Sequence, residues 1–344
     1  MIPGALAAGF LTTLLATPLV RAAACRTGFL DRPNPRSSHR RVTPRGGGLA
    51  LVAGLGVALF AGRAHPAHPA LPALLGGLAV VAAVGLLDDR LGLAPLPRLL
   101  SHLGAAALLV AHTGGFDRLP LPPPLDLPTG PLGGPLAVLW VVAVVNFVNF
   151  MDGIDGLAAL QGVVTGLTLA AAGLHPSATL LGAGLAGASA GFLVFNWAPA
   201  RIFLGDVGSG ALGYTLASVP LLGPGPAGGS AVLLAGISLW LFLADATTCL
   251  LGRAARGERW HEAHRRHLYQ RWVAAGAGHA RVAAWIGLGS AATSVAALLA
   301  WRSGVPSGAW AGVVLGGALF GLEWRAVVRA ERRAAGRDAR SAGR

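Results

Sequence analysis

The chain contains no lysine, two cysteines, two methionines and two tyrosines, and only 12% of it is charged. Each scarcity narrows the possibilities. Two cysteines as far apart as Cys25 and Cys249 imply no disulfide framework of the kind that staples a small secreted domain. So little charge, beside 54% hydrophobic residues and a mean hydropathy of +0.62, lies outside the range of a soluble globular domain. Without lysine, arginine supplies all 27 basic side chains. Beside the abundant Ala, Gly and Pro, this reads as coding bias and carries no mechanism. The net charge of +13 is spread over loops and a tail between apolar stretches, so anionic lipid and phosphorylated substrates are the expected partners, and nucleic acid is not.

What the sequence does have is a succession of apolar runs near the roughly 17 to 25 residues that cross a hydrocarbon core. The first, Ile2 to Val20, has no basic segment before it and meets its first charge at Arg21, so it reads as a retained helix with its N-terminus outside. Further helices are expected at roughly 49–62, 70–87, 99–113, 134–150, 156–173, 178–195, 210–222, 229–248, 280–300 and 308–328, about eleven spans in all. The expected fold class is therefore all-α, a polytopic membrane bundle with a cytoplasmic C-terminus. Residues 1–329 form one domain, and the basic stretch 330–344 is expected to be a disordered cytoplasmic tail. Threaded alternately, the external loops carry only Arg63, Arg118 and Arg302. The same threading places Asp88, Asp152, Asp206 and His264 together on the cytoplasmic side.

These acids lie in polar islands. Asp88 and Asp89 close an apolar helix where the macrodipole disfavours acids, which suits a general base or an organiser of metal and phosphate. In NFVNFMDGIDGL, Asn146, Asn149, Asp152 and Asp155 form a polar stripe beside Gly153 and Gly156, and such groups next to a bilayer are costly and commonly functional. In FLGDVGSG, Asp206 stands at a glycine-flanked helix start and is a candidate Mg²⁺ ligand. In RWHEAHRRHLYQR, His261, His264 and His267 alternate with Arg259, Arg265, Arg266 and Arg271. So many arginines disfavour zinc and favour a pyrophosphate clamp. Asp245 is a further acid inside an apolar run, with no partner evident from the sequence.

Taken in order, DRPNPRSSH, TPRGGG, GLLDDR, NFVNFMDGIDGL, FNWAPARIFLGDVGSG and HRRHLYQR resemble the polyprenyl-phosphate N-acetylhexosamine-1-phosphate transferases across residues 31–271. That family includes the O-antigen and teichoic-acid initiating enzymes and the phospho-N-acetylmuramoyl-pentapeptide transferase. The resemblance implies a UDP-N-acetylhexosamine donor, an undecaprenyl phosphate acceptor, UMP as by-product, and Mg²⁺ (or Mn²⁺ in its place) as cofactor. It implies catalytic roles for Asp88, Asp89, Asp152, His264 and His267. It further implies a metal held by Asp206 and Asn149, and donor binding by Asn196, Phe203, Gly153, Asp155, Arg265 and Arg266. A homodimer is compatible with it.

Two departures stand out. Arginines such as Arg36 and Arg45 replace the usual lysine of the first cytoplasmic loop, and the histidines are spaced as HEAHRRH. With RSSH and HLYQR, this is closer to the O-antigen initiating subgroup than to the pentapeptide transferase, which stands as the alternative. A secondary transporter, from a different class, would place its acids at mid-membrane along a two-sided path. A structural membrane scaffold would need no acid cluster at all.

Overall fold

The computed structural model describes residues 1–33, 38–39, 41–62, 67–223, 229–258 and 265–342. Its helices are α1 (Ile2–Thr27), α2 (Gly48–Ala61), α3 (Leu71–Leu91), α4 (Pro95–Thr113), α5 (Gly133–Met151), α6 (Leu157–Ala172) and α7 (Pro176–Asn196). They continue as α8 (Asp206–Ser218), α9 (Gly229–Ser238), α10 (Trp240–Ala255), α11 (Leu268–Ala274), α12 (His279–Ser303) and α13 (Ala309–Ala342). Between α1 and α2 a short antiparallel pair, β1 (Leu30–Asp31) and β2 (Thr43–Pro44), folds the first loop back on itself. Proline in the first turn starts α3, α4 and α7, where a missing N–H costs nothing.

Each of the eleven expected runs is helical, but the count of crossings differs. Among the described residues, six helices are long and apolar enough to span a membrane, or seven if the bent pair α9 and α10 is one span. Helices α2 and α6 are apolar but shorter. At 1.5 Å per residue, a 14-residue helix such as α2 reaches only about 21 Å, short of a ~30 Å core. The run expected at 229–248 breaks at Leu239, and its two halves meet at 80°. Broken backbone inside a bilayer needs partners, and here the Ser238 carbonyl accepts from Gln161 Nε2 at 3.1 Å. Helix α13 runs on through residues 330–342.

Helix α7 is the centre of the bundle, with 78% of its span buried against 22% for α1. It packs on α1, α2 and α6, while α8 sits among α2, α3 and α5. Small side chains permit this closeness: a Cβ on Gly9 would lie 2.4 Å from the Gly184 carbonyl oxygen. The loops threaded to the outside do gather at one end. The His68 N–H donates to Ser177 Oγ, Arg302 reaches the Ala171 carbonyl, and Trp310 Nε1 donates to the Pro123 carbonyl.

Candidate active site

At the opposite end the acids converge. Asp89 closes α3, yet its carboxylate serves α8, accepting from the backbone N–H of Asp206 at 2.9 Å and of Val207 at 3.1 Å. An acid unfavourable at its own helix terminus is thereby favourable at the positive end of another. Arg45 Nη2 completes its coordination at 2.6 Å. Gly205 makes the arrangement possible: it holds φ +76°, and a Cβ there would approach Asp89 Oδ2 to 2.6 Å. Asp88 Oδ1 accepts the Leu93 N–H at 2.6 Å, and its Oδ2 accepts from Arg98 Nη1 at 2.7 Å. The same Arg98 nitrogen lies 4.0 Å from Asp206 Oδ2.

Asn149 Nδ2, from the last turns of α5, donates to Asp206 Oδ1 and to Ser209 Oγ, each at 2.8 Å. Asp152 follows directly after α5. Burial, and then the charges of Asp206 and Asp89, push the Asp152 carboxyl well above the usual carboxylate range. Asp206 is likewise raised, to about 7, by burial first, then by the charge of Asp89 and a carboxyl contact with Asp88. Such crowding is the signature of acids arranged for a cation or a proton.

Beside them opens a cavity of about 190 Å³. Asn149, Asp152, Gly153, Asp155, Asn196, Phe203 and Asp206 all line it. Two of these are largely committed to protein contacts. Asn196 accepts the Gly156 N–H and donates to the Ile202 carbonyl, both at 3.0 Å. Asp155 accepts the Ala200 N–H at 3.0 Å and faces His279 Nδ1 at 3.3 Å. Among the described residues no three His, Cys, Asp or Glu side chains close around a single point. A larger, mainly apolar cavity of about 490 Å³, with Leu233, Ile237 and Trp301 in its wall, holds none of the clustered acids.

The structure does not bring every expected residue to this cavity. His267 is buried on Asp245, its Nδ1 3.2 Å from Oδ1, and so provides the partner that the sequence left unnamed. The Asp245 carboxylate also accepts the backbone N–H of Leu268 and Tyr269, which seats the first turn of α11. Arg266 pairs with Glu258 and lines a separate crevice, and Arg265 does not line the acidic cavity. His264, with Arg36, Arg63, Arg259 and His261, lies outside the described residues.

Conversely, the acidic site includes Arg98, His39, Gln270 and His279, none of which the sequence reading assigned to it. Arg98 carried one weak signal. It is the first charged residue after the LLDDR island and lies in the first turns of α4, at the end of the bundle where α3 stops. Tyr269 links the two regions, its hydroxyl donating to the Phe150 carbonyl at 2.8 Å.

The model of glycosyl transferase family 4 matches residues 71–223, which contain Asp88, Asp89, Asn149, Asp152 and Asp206. The decaprenyl-phosphate N-acetylglucosaminephosphotransferase of Mycobacterium tuberculosis is 31% identical over 317 residues, covering 80% of this chain and 78% of that protein. The chain belongs to glycosyl transferase family 4. Another relative is the probable undecaprenyl-phosphate N-acetylglucosaminyl 1-phosphate transferase of Bacillus subtilis, 30% identical over 217 residues. That match covers 62% of this chain, which spans only 60% of the Bacillus protein's length. The phospho-N-acetylmuramoyl-pentapeptide-transferase of Symbiobacterium thermophilum is 35% identical over 243 residues, covering 64% of this chain and 71% of the relative. As a family 4 member with this helical bundle, the chain is a multi-pass membrane protein.

Proposed function

We propose that this chain transfers N-acetylhexosamine-1-phosphate from a UDP-sugar to undecaprenyl phosphate, releasing UMP and initiating an envelope polysaccharide. The observation that carries the reading is the convergence of Asp88, Asp89, Asn149, Asp152 and Asp206 beside one cavity at one end of a membrane bundle. A transporter path would thread acids across the bundle, whereas Asp88, Asp89, Asp152 and Asp206 gather at one end. A water-soluble donor and a bilayer-bound acceptor meet only at a membrane face. The segregation of arginines supports assigning that face to the cytoplasm.

In this reaction a lipid phosphate oxygen forms a bond to the β-phosphorus of the donor, and the bond from that phosphorus to the bridging oxygen breaks. UMP takes the electron pair. Both phosphates enter and leave as anions, so no net proton is consumed. A phosphate monoester with a second pKa near 6 is already mostly ionised at neutral pH, so alignment of the acceptor matters more than its deprotonation. We assign that alignment to Asp88 with Arg98, whose guanidinium spans Asp88 and Asp206 and remains partly exposed. Asp89 fixes the start of α8 and holds Arg45.

The donor set fits Mg²⁺: oxygen ligands only, and crowded acids whose carboxyls are raised first by burial and then by one another's charge. Asp206 and Asn149 would hold the ion, with Asp152 close by. When bound, it supplies neutralisation of charge on the diphosphate. His264 remains proposed as a donor-phosphate contact.

The test is UMP release by purified protein supplied with undecaprenyl phosphate and a panel of UDP-N-acetylhexosamines, with and without EDTA. Release that needs both lipid and divalent metal, with UDP-GlcNAc or a close relative preferred, is expected. Preference for UDP-N-acetylmuramoyl-pentapeptide would shift the assignment to peptidoglycan synthesis. Release without lipid would contradict the reading.

A further inference from the structure

Buried polar atoms without partners are rare in native proteins, and each asks for an explanation. Among the described residues, three atoms that make no hydrogen bond belong to side chains lining the acidic cavity: His39 Nε2, Arg45 Nε and Gln270 Oε1. Their chemistry differs. Arg45 is tethered to Asp89 through Nη2, so its Nε remains a donor suited to an anionic oxygen. His39 Nε2 has Asp31 Oδ1 at 3.8 Å, beyond hydrogen-bond length, and its ring packs edge-on against Phe203 with centroids 4.8 Å apart. Gln270 Oε1 can only accept.

Gln270 is only 9% exposed and is aimed by construction. It sits on α11, whose first turn is seated by the Asp245 carboxylate through Leu268 and Tyr269. Its amide nitrogen faces Gly153, where an added Cβ would lie 3.2 Å from Nε2. The amide oxygen makes no hydrogen bond within the protein, and the side chain forms part of the cavity wall.

An acceptor carbonyl repels phosphate, because both present lone pairs. It needs an N–H or O–H. The ionised head of a lipid phosphate offers none, whereas a nucleotide sugar offers several, on its uracil, its ribose and its N-acetylated ring. Resting on the function proposed above, we propose that Gln270 is a specificity-determining contact for the donor substrate. It accepts a hydrogen bond from a neutral N–H or O–H of the UDP-sugar and so distinguishes donor from acceptor. This assigns to the arginine- and histidine-rich segment a neutral reading role alongside charge.

The experiment measures equilibrium binding of UMP, UDP-GlcNAc and inorganic pyrophosphate to the full chain in detergent, for the parent protein, Gln270→Leu and Gln270→Met. Melting temperatures are recorded for each. Both variants should melt with the parent, bind pyrophosphate as the parent does, and lose about tenfold in UDP-GlcNAc affinity. An equal loss for UMP would place the donor group on the uridine, and an undiminished UMP affinity would place it on the sugar. If either stable variant binds UMP and UDP-GlcNAc within about twofold of the parent, the role of Gln270 is refuted while the function stands. A parent protein that binds no nucleotide would overturn the function, and this inference with it.

Discussion

The Asp89 carboxylate accepts the backbone N–H of Asp206 at 2.9 Å, so the end of one helix fixes the start of the next element of the site. The two acids therefore answer differently to substitution. Asp89→Ala strands the N–H groups of Asp206 and Val207 and the Arg45 guanidinium, and should destabilise the protein by about 3 kcal/mol. Asp206→Asn keeps shape and should leave the melting temperature nearly unchanged while removing most metal-dependent turnover. Thermal melts in detergent beside UMP-release rates separate the two. Equal melting losses for both variants would refute the division of roles.

Protonation of Asp206 should control metal affinity. Its pKa is raised to about 7, so below that pH the carboxyl holds a proton that a cation must displace. The sign follows: apparent Mg²⁺ affinity rises with pH, by up to roughly tenfold per unit for one displaced proton, and levels off above about 7. The Mg²⁺ activation constant, measured from about pH 5.5 to 8.5, checks this. A flat profile would contradict a raised Asp206 titration coupled to metal binding.

Gly153 and Tyr269 share one space. A Cβ at position 153 would lie 2.1 Å from Tyr269 Oη, so Gly153→Ala must displace either α11 or the Asp152 loop. The overpacking should cost about 1–3 kcal/mol and reduce turnover at least tenfold. Tyr269→Phe loses the bond to the Phe150 carbonyl but vacates the space, so the double variant should be less impaired than the two single losses combined. Strict additivity in a double-mutant cycle would contradict the contact.

Asp245 acts through α11. Asp245→Ala removes the acceptor of the buried Leu268 and Tyr269 N–H groups and the carboxylate beside the His267 ring. A loss of about 2–4 kcal/mol is expected, with a raised KM for the UDP-sugar, because Gln270 and Tyr269 lose their seating. Asp245→Asn, which keeps one acceptor, should recover part of both. Normal donor KM in a folded Asp245→Ala protein would separate α11 from the site.

Much of this was legible in the sequence, for identifiable reasons. Apolar runs mark helices because a bilayer tolerates little else, and every expected run is helical. Asp88, Asn149, Asp152 and Asp206 stood out because polar groups beside such runs are costly. The break at Leu239 was hidden, since the apolar run continues through it and its support, Gln161, lies 77 residues from Ser238. The position of His267 was hidden for the same reason: its partner Asp245 is 22 residues away, on the second half of the bent pair. Alternating His and Arg suggested a clamp, but local spacing does not say which member faces the cavity. Among the described residues of that segment, Gln270 lines the cavity.

The central claim is that the donor's β-phosphorus moves with its sugar to the lipid. UDP-GlcNAc labelled with ³²P at the β-phosphate, incubated with purified protein, undecaprenyl phosphate and Mg²⁺, should yield label in the solvent-extractable lipid and unlabelled UMP in equal amount. Label that stays in the aqueous phase, as UDP or as sugar phosphate, would contradict it.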